Sequence, residues 1–119
     1  IHDRLDVVEY LITQNLNINE FDSNKRTPIM MASKNGNIEI VKLLLKNNCE
    51  INAKDKDSMT ALMFASDNGN KEIVKLLIDN GAYINEKNNK CQTALLFAYK
   101  RGHLDIVKYL LKKDALIYN

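Results

Sequence analysis

The chain has 119 residues, of which 45% are hydrophobic and 27% charged, and its formal net charge is +2. A single continuous array is expected rather than several independent cores, and so small a charge excess does not single out nucleic acid or an anionic membrane as a partner. No apolar run is long enough to span a bilayer, and residues 1–9 mix charged with apolar side chains instead of forming a signal peptide.

In chain order, Val7, Val8, Leu11 and Ile12 fit the apolar face of a helix whose preceding partner is missing. The chain is therefore expected to start within a repeat and to be a piece of a longer array. Thr27-Pro28 opens the next helix: the hydroxyl can cap a free backbone amide, and proline at the first helical position gives up a hydrogen bond that position does not make. Ile29 and Ala32 give the three-residue spacing of a buried stripe, and Gly36 stops the helix in left-handed geometry. A second helix is predicted from Ile38 to Asn47, with Ile40, Val41, Leu44 and Leu45 on its apolar face and Glu39 beside Lys42 on the exposed one. Asn48 is its stop signal, and Ile51-Asn52 close the unit.

Thirty-three residues later the pattern returns, and thirty-three later again. Thr60 and Thr93, Ala65 and Ala98, Gly69 and Gly102, Ile73 and Ile106, Val74 and Val107, Leu77 and Leu110 copy Thr27, Ala32, Gly36, Ile40, Val41 and Leu44. Second helices are predicted near Glu72–Asn80 and Leu104–Lys113, with Gly81 a good stop and Asp114 a poorer one. A fixed period of this length means one supersecondary unit stacked on copies of itself, because a single copy cannot bury its apolar face alone. The segments TPIMMASKNGNIEIVKLLLKNNCEIN, TALMFASDNGNKEIVKLLIDNGAYIN and TALLFAYKRGHLDIVKYLLKKDALIY carry a resemblance to the ankyrin repeat family over nearly the whole chain. The resemblance implies an all-α repeat solenoid of stacked helix-turn-helix units joined by short β-hairpin loops, with a partial repeat over 1–21 and repeats over 22–54, 55–87 and 88–119.

The family's buried asparagine corresponds to Asn19, Asn52 and Asn85, whose amides are expected to hold the hairpin loop. The family's usual turn glycine is replaced by Lys25, Ser58 and Cys91, which moves the expected left-handed geometry onto Asn24 and Asp57. Asn52, with Glu50-Ile51 before it and Leu44 eight residues earlier, is also similar to the pattern at which ankyrin-repeat asparagines are β-hydroxylated.

Catalytic chemistry finds no constellation. His103 stands at a helix start, where a capping role is expected, and one His near one Cys is short of the four ligands of a zinc site. No metal or cofactor is implied. Asp22 and Asp55 recur as turn residues, the glycines mark helix ends, and Met30, Met31, Met63, Phe64 and Phe97 read as core. Cys49 aligns with Ala82 and Ala115 and reads as a small buried hydrophobe, whereas Cys91 lies in a turn. Two cysteines at different repeat positions are no disulfide framework, so a reducing compartment, the cytoplasm or alternatively the nucleus, is expected.

Function is expected where the copies differ while the scaffold does not. The resemblance places a concave recognition face on the hairpin tips and first helices, which here carry Arg26, Lys34, Lys56, Asp57, Met59, Asp67, Asn68, Lys90, Gln92, Lys100 and Arg101. Lys56, Met59, Asn68, Gln92 and Arg101 form its expected centre, outside the core. Basic residues outnumber acidic ones, so the expectation is a noncatalytic module binding a protein partner with an acidic surface. The alternative is a spacer or scaffold segment of a larger protein whose catalytic, channel or ligase-recruiting activity lies elsewhere. Leu116, Ile117 and Tyr118 continue the apolar pattern, so self-association through open repeat ends is also expected to be available.

Overall fold

The computed structural model describes residues 18–113 and 115. These contain six α-helices in three consecutive pairs: α1 (Pro28–Asn35) with α2 (Ile38–Lys46), α3 (Ala61–Asn68) with α4 (Lys71–Asp79), and α5 (Ala94–Lys100) with α6 (Leu104–Lys112). The expected helix near Val7–Ile12, the stop at Asp114 and the apolar run Leu116–Tyr118 lie outside the described residues.

Each first helix starts at its threonine, in extended backbone. Thr60 Oγ1 accepts from the Met63 N–H at 3.3 Å and Thr93 Oγ1 from the Leu96 N–H at 3.2 Å. Thr27 departs from expectation: its hydroxyl makes no capping bond, and Pro28, with φ already fixed, starts the helix instead. Gly36, Gly69 and Gly102 take φ of 74°, 79° and 76°, and the Gly36 and Gly69 N–H groups donate to Ala32 and Ala65 carbonyls. After the second helices, Asn48 (φ 59°) and Gly81 (φ 99°) supply the left-handed residue.

Within a repeat the two helices pack side by side. Between repeats α1 packs on α3 and α3 on α5, while α2 packs on α4 and α4 on α6. The core runs through this stack as one row: Ile29, Leu62, Ile73, Val74, Leu77, Ile106 and Leu110 are all buried, with Ala32, Ala65 and Ala98 letting first helices approach closely. Met30 and Met63 are fully buried. The apolar core is thus continuous from one repeat to the next.

The amides of Asn19 and Asn52, expected to hold the hairpin loop, bond to backbone one repeat further on. Asn19 Oδ1 accepts from the Glu50 N–H at 2.6 Å. Asn52 Oδ1 accepts from the Tyr83 N–H at 2.8 Å, and its Nδ2 donates to the Gly81 carbonyl at 3.1 Å. These amides clamp the loop of the next repeat, reaching about thirty residues ahead in sequence.

The loops between repeats are hairpin turns, and no strand occurs among the described residues. Each is closed by two backbone bonds, Asp22 with Arg26 and Lys25, Asp55 with Met59 and Ser58, Asn88 with Gln92 and Cys91. One side-chain oxygen in each turn accepts two further N–H groups at 2.9 Å: Asp22 from Asn24 and Arg26, Asp55 from Asp57 and Met59, Asn88 from Lys90 and Gln92. The left-handed residue has not moved to Asn24 or Asp57 as expected. Lys25, Ser58 and Cys91 adopt it themselves, at φ of 60°, 61° and 59°, because both closing bonds fix the chain path at that position whatever its side chain.

Candidate recognition surface

Two rows of side chains run across the repeats on the side of the hairpins and first helices. The hairpin row is tied together by backbone. The Lys56 N–H donates to the Asn24 carbonyl and the Asn89 N–H to the Asp57 carbonyl, each at 3.0 Å, and Asn89 Nδ2 donates to the Lys56 carbonyl at 3.1 Å. Three tips therefore make a single ridge rather than three independent loops.

Position 26/59/92, at the base of each tip, proves to face inward. Arg26 is half-buried; its Nε lies 3.6 Å from Asp55 Oδ2, and its guanidinium stands 5.8 Å over the Phe64 ring. The Asp55 side chain is only 2% exposed, so its charge needs that cation as well as the two backbone donors. One repeat on, the pair is neutral. Asn88 replaces the aspartate and turns its Nδ2 toward Met59 Sδ at 3.3 Å and Gln92 Oε1 at 3.0 Å. Met59 and Gln92 are half-buried, so this position joins adjacent repeats before it could meet a partner. Met59 lies outside the hydrophobic core, as expected, yet its sulfur is engaged by Asn88 of the next repeat.

The helix row is partly committed too. Arg101 Nε donates to Asp67 Oδ1 at 2.8 Å across the repeat boundary, with the arginine side chain 63% exposed. Asn68 Nδ2 donates to the Lys34 carbonyl in the equivalent position one repeat earlier. His103 makes no capping bond, contrary to expectation. Its ring lies against Gly69, where a Cβ would stand 2.5 Å from the ring, and its Nε2 is 3.1 Å from the Asp67 carbonyl oxygen. The helix-start cap is instead seen at Asn70, which accepts from the Ile73 N–H at 3.1 Å.

Lys34, Lys56, Asp57, Lys90 and Lys100 are exposed. Of the charges that sequence placed on this face, Asp67 is matched internally by Arg101, and the buried Asp55 by Arg26. Asp22 accepts the Arg26 and Asn24 amides, which hold its carboxyl below the usual range, the Arg26 amide most strongly. Lys34, Lys56, Lys90 and Lys100 form no ion pair among the described residues. Asn52, the modification candidate, has its amide engaged at both ends by the next repeat. Sequence reasoning missed the Arg26–Asp55 and Met59–Asn88 pairs; the recurrence of Asp22, Asp55 and Asn88 at the repeat period was the available signal.

The opposite face is a solvated ion lattice. Lys42 Nζ lies 3.8 Å from both Glu39 and Glu72, and Lys75 and Lys113 each stand 5.8 Å over the Tyr109 ring, while Lys54 pairs with Glu86 at 2.7 Å between neighbouring inter-helix loops. An open depression there is lined by Lys71, Glu72, Lys75, Leu76 and Asp79, all on α4. Among the described residues no three His, Cys, Asp or Glu side chains gather to hold a metal ion, and no helix is long and apolar enough to cross a membrane. Cys91 is exposed, whereas burial pushes the half-buried Cys49 thiol up to about 11.

No curated protein matches the sequence at significant similarity. The sequence profile described as ankyrin repeats (3 copies) matches residues 1–55 and again 53–119. With three stacked helix pairs, left-handed glycines closing the first helices and hairpin turns between units, the chain belongs to the ankyrin repeat family.

Proposed function

We propose that this chain is a noncatalytic binding module whose hairpin ridge and first-helix row receive an acidic segment of a protein partner. Ankyrin repeats are generally protein–protein interaction modules. The observation that carries the acidic preference is the internal matching of charge: Asp67 is spent on Arg101 and Asp55 on Arg26, while Lys34, Lys56, Lys90 and Lys100 face solvent without a counter-ion. Exposed Asp22 and Asp57 are then two carboxylates beside these four ammonium groups. Complementary potential of this kind raises the association rate and selects the partner more than it adds affinity. A reducing compartment such as the cytoplasm suits this reading, since an exposed Cys91 thiol persists there.

The test uses a synthetic peptide of about twenty residues, rich in Asp and Glu with interspersed Leu and Tyr, long enough when extended to pass all three tips. A peptide with Lys and Arg in place of the acids is the control. Fluorescence anisotropy is expected to show binding of the acidic peptide alone, weakened about tenfold or more when Lys34, Lys56, Lys90 and Lys100 are changed to Glu. Equal binding of both peptides, or no effect of charge reversal, would overturn the proposal.

A further inference from the structure

We propose that copies of this chain associate head to tail, the outer face of the α5–α6 pair of one copy receiving residues 5–12 of a second copy. That face lies at one end of the stack, away from the hairpin and first-helix rows, so the inference is independent of the recognition reading above. The three helix pairs share one sequence pattern but not one burial pattern. Met30, Ser33 and Val41 in the first pair and Met63, Ser66 and Val74 in the second are fully buried, and each of these pairs has a following pair packed on it. At the same positions in the third pair, Leu96 and Val107 are half-buried and Tyr99 is 67% exposed. Leu104 and Leu111, 60% and 41% exposed, extend Val107 into a stripe along α6 at helical spacing. Apolar surface at positions that the other pairs bury under helices is surface shaped for a helix.

Charge selects the helix. Lys42 on α2 reaches Glu72 of the following pair at 3.8 Å, and Lys75 on α4 stands 5.8 Å over the Tyr109 ring of the following pair. Lys108 is the third copy of this lysine, exposed and without an ion pair or ring contact among the described residues. Residues 5–12 lie outside the described residues; in sequence, Asp6 shares the repeat position of Glu72, Tyr10 that of Tyr109 and Val7 that of Ile73. Stacked on α6 as α4 stacks on α2 and α6 on α4, this segment of a second copy would bring both a carboxylate and a ring to Lys108 and set Val7 against the apolar stripe. Net charges agree. With histidine neutral, residues 1–21 carry four carboxylates and one guanidinium, a net −3, and residues 88–119 carry six cationic and two anionic side chains, a net +4. Pairing of two α5–α6 faces would instead set Lys108 against a second basic surface, which like charges oppose. Two unlike ends that fit each other do not close on themselves, so the product grows beyond a dimer.

Sedimentation equilibrium of the intact chain, from about 10 μM to about 1 mM, tests this. The weight-average mass is expected to rise with concentration past that of two chains. The charge reversals K108E and D6K are each expected to weaken association about fivefold or more. Mixing the two variants is expected to restore it, because the reversed lysine of one then meets the reversed aspartate of the other. Leu111→Glu, which alters only the exposed stripe, is expected to hold the chain at a single-copy mass with its thermal unfolding unchanged. A single-chain mass for the wild type at every concentration would overturn the proposal and leave the face to another protein or to a further repeat. A mass that levels off at two chains, unaltered association in Leu111→Glu, or a mixture that associates no better than either charge variant alone would overturn it as well, because the contact would then be closed or would not use these residues.

Discussion

The pairing of Arg26 with Asp55, and of Met59 with Asn88 one repeat later, provides a double-mutant cycle whose end point the protein already contains. Arg26 and Asp55 are 3.6 Å apart, so at an effective dielectric of about 20 their bare attraction is about 5 kcal/mol. Desolvation of a nearly fully buried carboxylate takes back most of that. In Asp55→Asn the amide oxygen can still accept from Asp57 and Met59, but an N–H donor then faces the guanidinium, for an expected loss of about 1–2 kcal/mol. Arg26→Met leaves the carboxylate buried with backbone donors only and should cost about 2–3 kcal/mol. The double variant rebuilds the Met59–Asn88 arrangement, with the new thioether also able to lie against Phe64, and should fall within about 1 kcal/mol of wild type. The coupling is thus about 2–4 kcal/mol, well above the error of urea unfolding followed by circular dichroism. If the losses in the single variants simply add in the double variant, the two side chains do not form an energetic unit and the inward assignment of position 26/59/92 fails.

Leu77→Ala, at a fully buried position of α4, should cost about 2–5 kcal/mol through lost transfer energy and the cavity left behind, measured by the shift of a urea midpoint. Gly69→Ala should destabilise by clearly more than Gly102→Ala: both positions have positive φ, but only at Gly69 would the new methyl meet the His103 ring, at 2.5 Å, and equal thermal shifts would contradict the close packing. A maleimide at pH 8 should label Cys91 and spare Cys49 in the folded chain, with mass spectrometry after proteolysis reading the two sites. Burial raises the Cys49 thiol from 9.0 to about 11, so folding favours its protonated form. Its stabilising contribution is complete below about pH 9 and is lost as pH rises toward 11, and Cys49→Ala should flatten the decline in stability over that window.

The sequence by itself determined the repeat, its period, the helix pairs and most of their ends. Those are local effects: Thr60 caps Met63 three residues on, Gly36 and Gly69 terminate helices they directly follow, and the spacing of Ile73, Val74 and Leu77 defines a buried face within one helix. The charged residues of the candidate surface were also legible, since Lys34, Lys56, Lys90 and Lys100 lie where the repeat pattern puts exposed side chains. What only the tertiary structure decided are interactions spanning one repeat. Asn19 and Asn52 clamp the following loop, Arg26 neutralises Asp55, Asp67 takes Arg101, and His103 packs on Gly69. Variation between copies cannot separate a residue free to meet a partner from one that changes together with a neighbour about thirty residues away, and Met59 with Asn88 is such a pair. The left-handed tips escaped for a related reason. Residue preference describes what a backbone favours in isolation, whereas at Lys25, Ser58 and Cys91 two hydrogen bonds closing the hairpin fix the conformation against that preference.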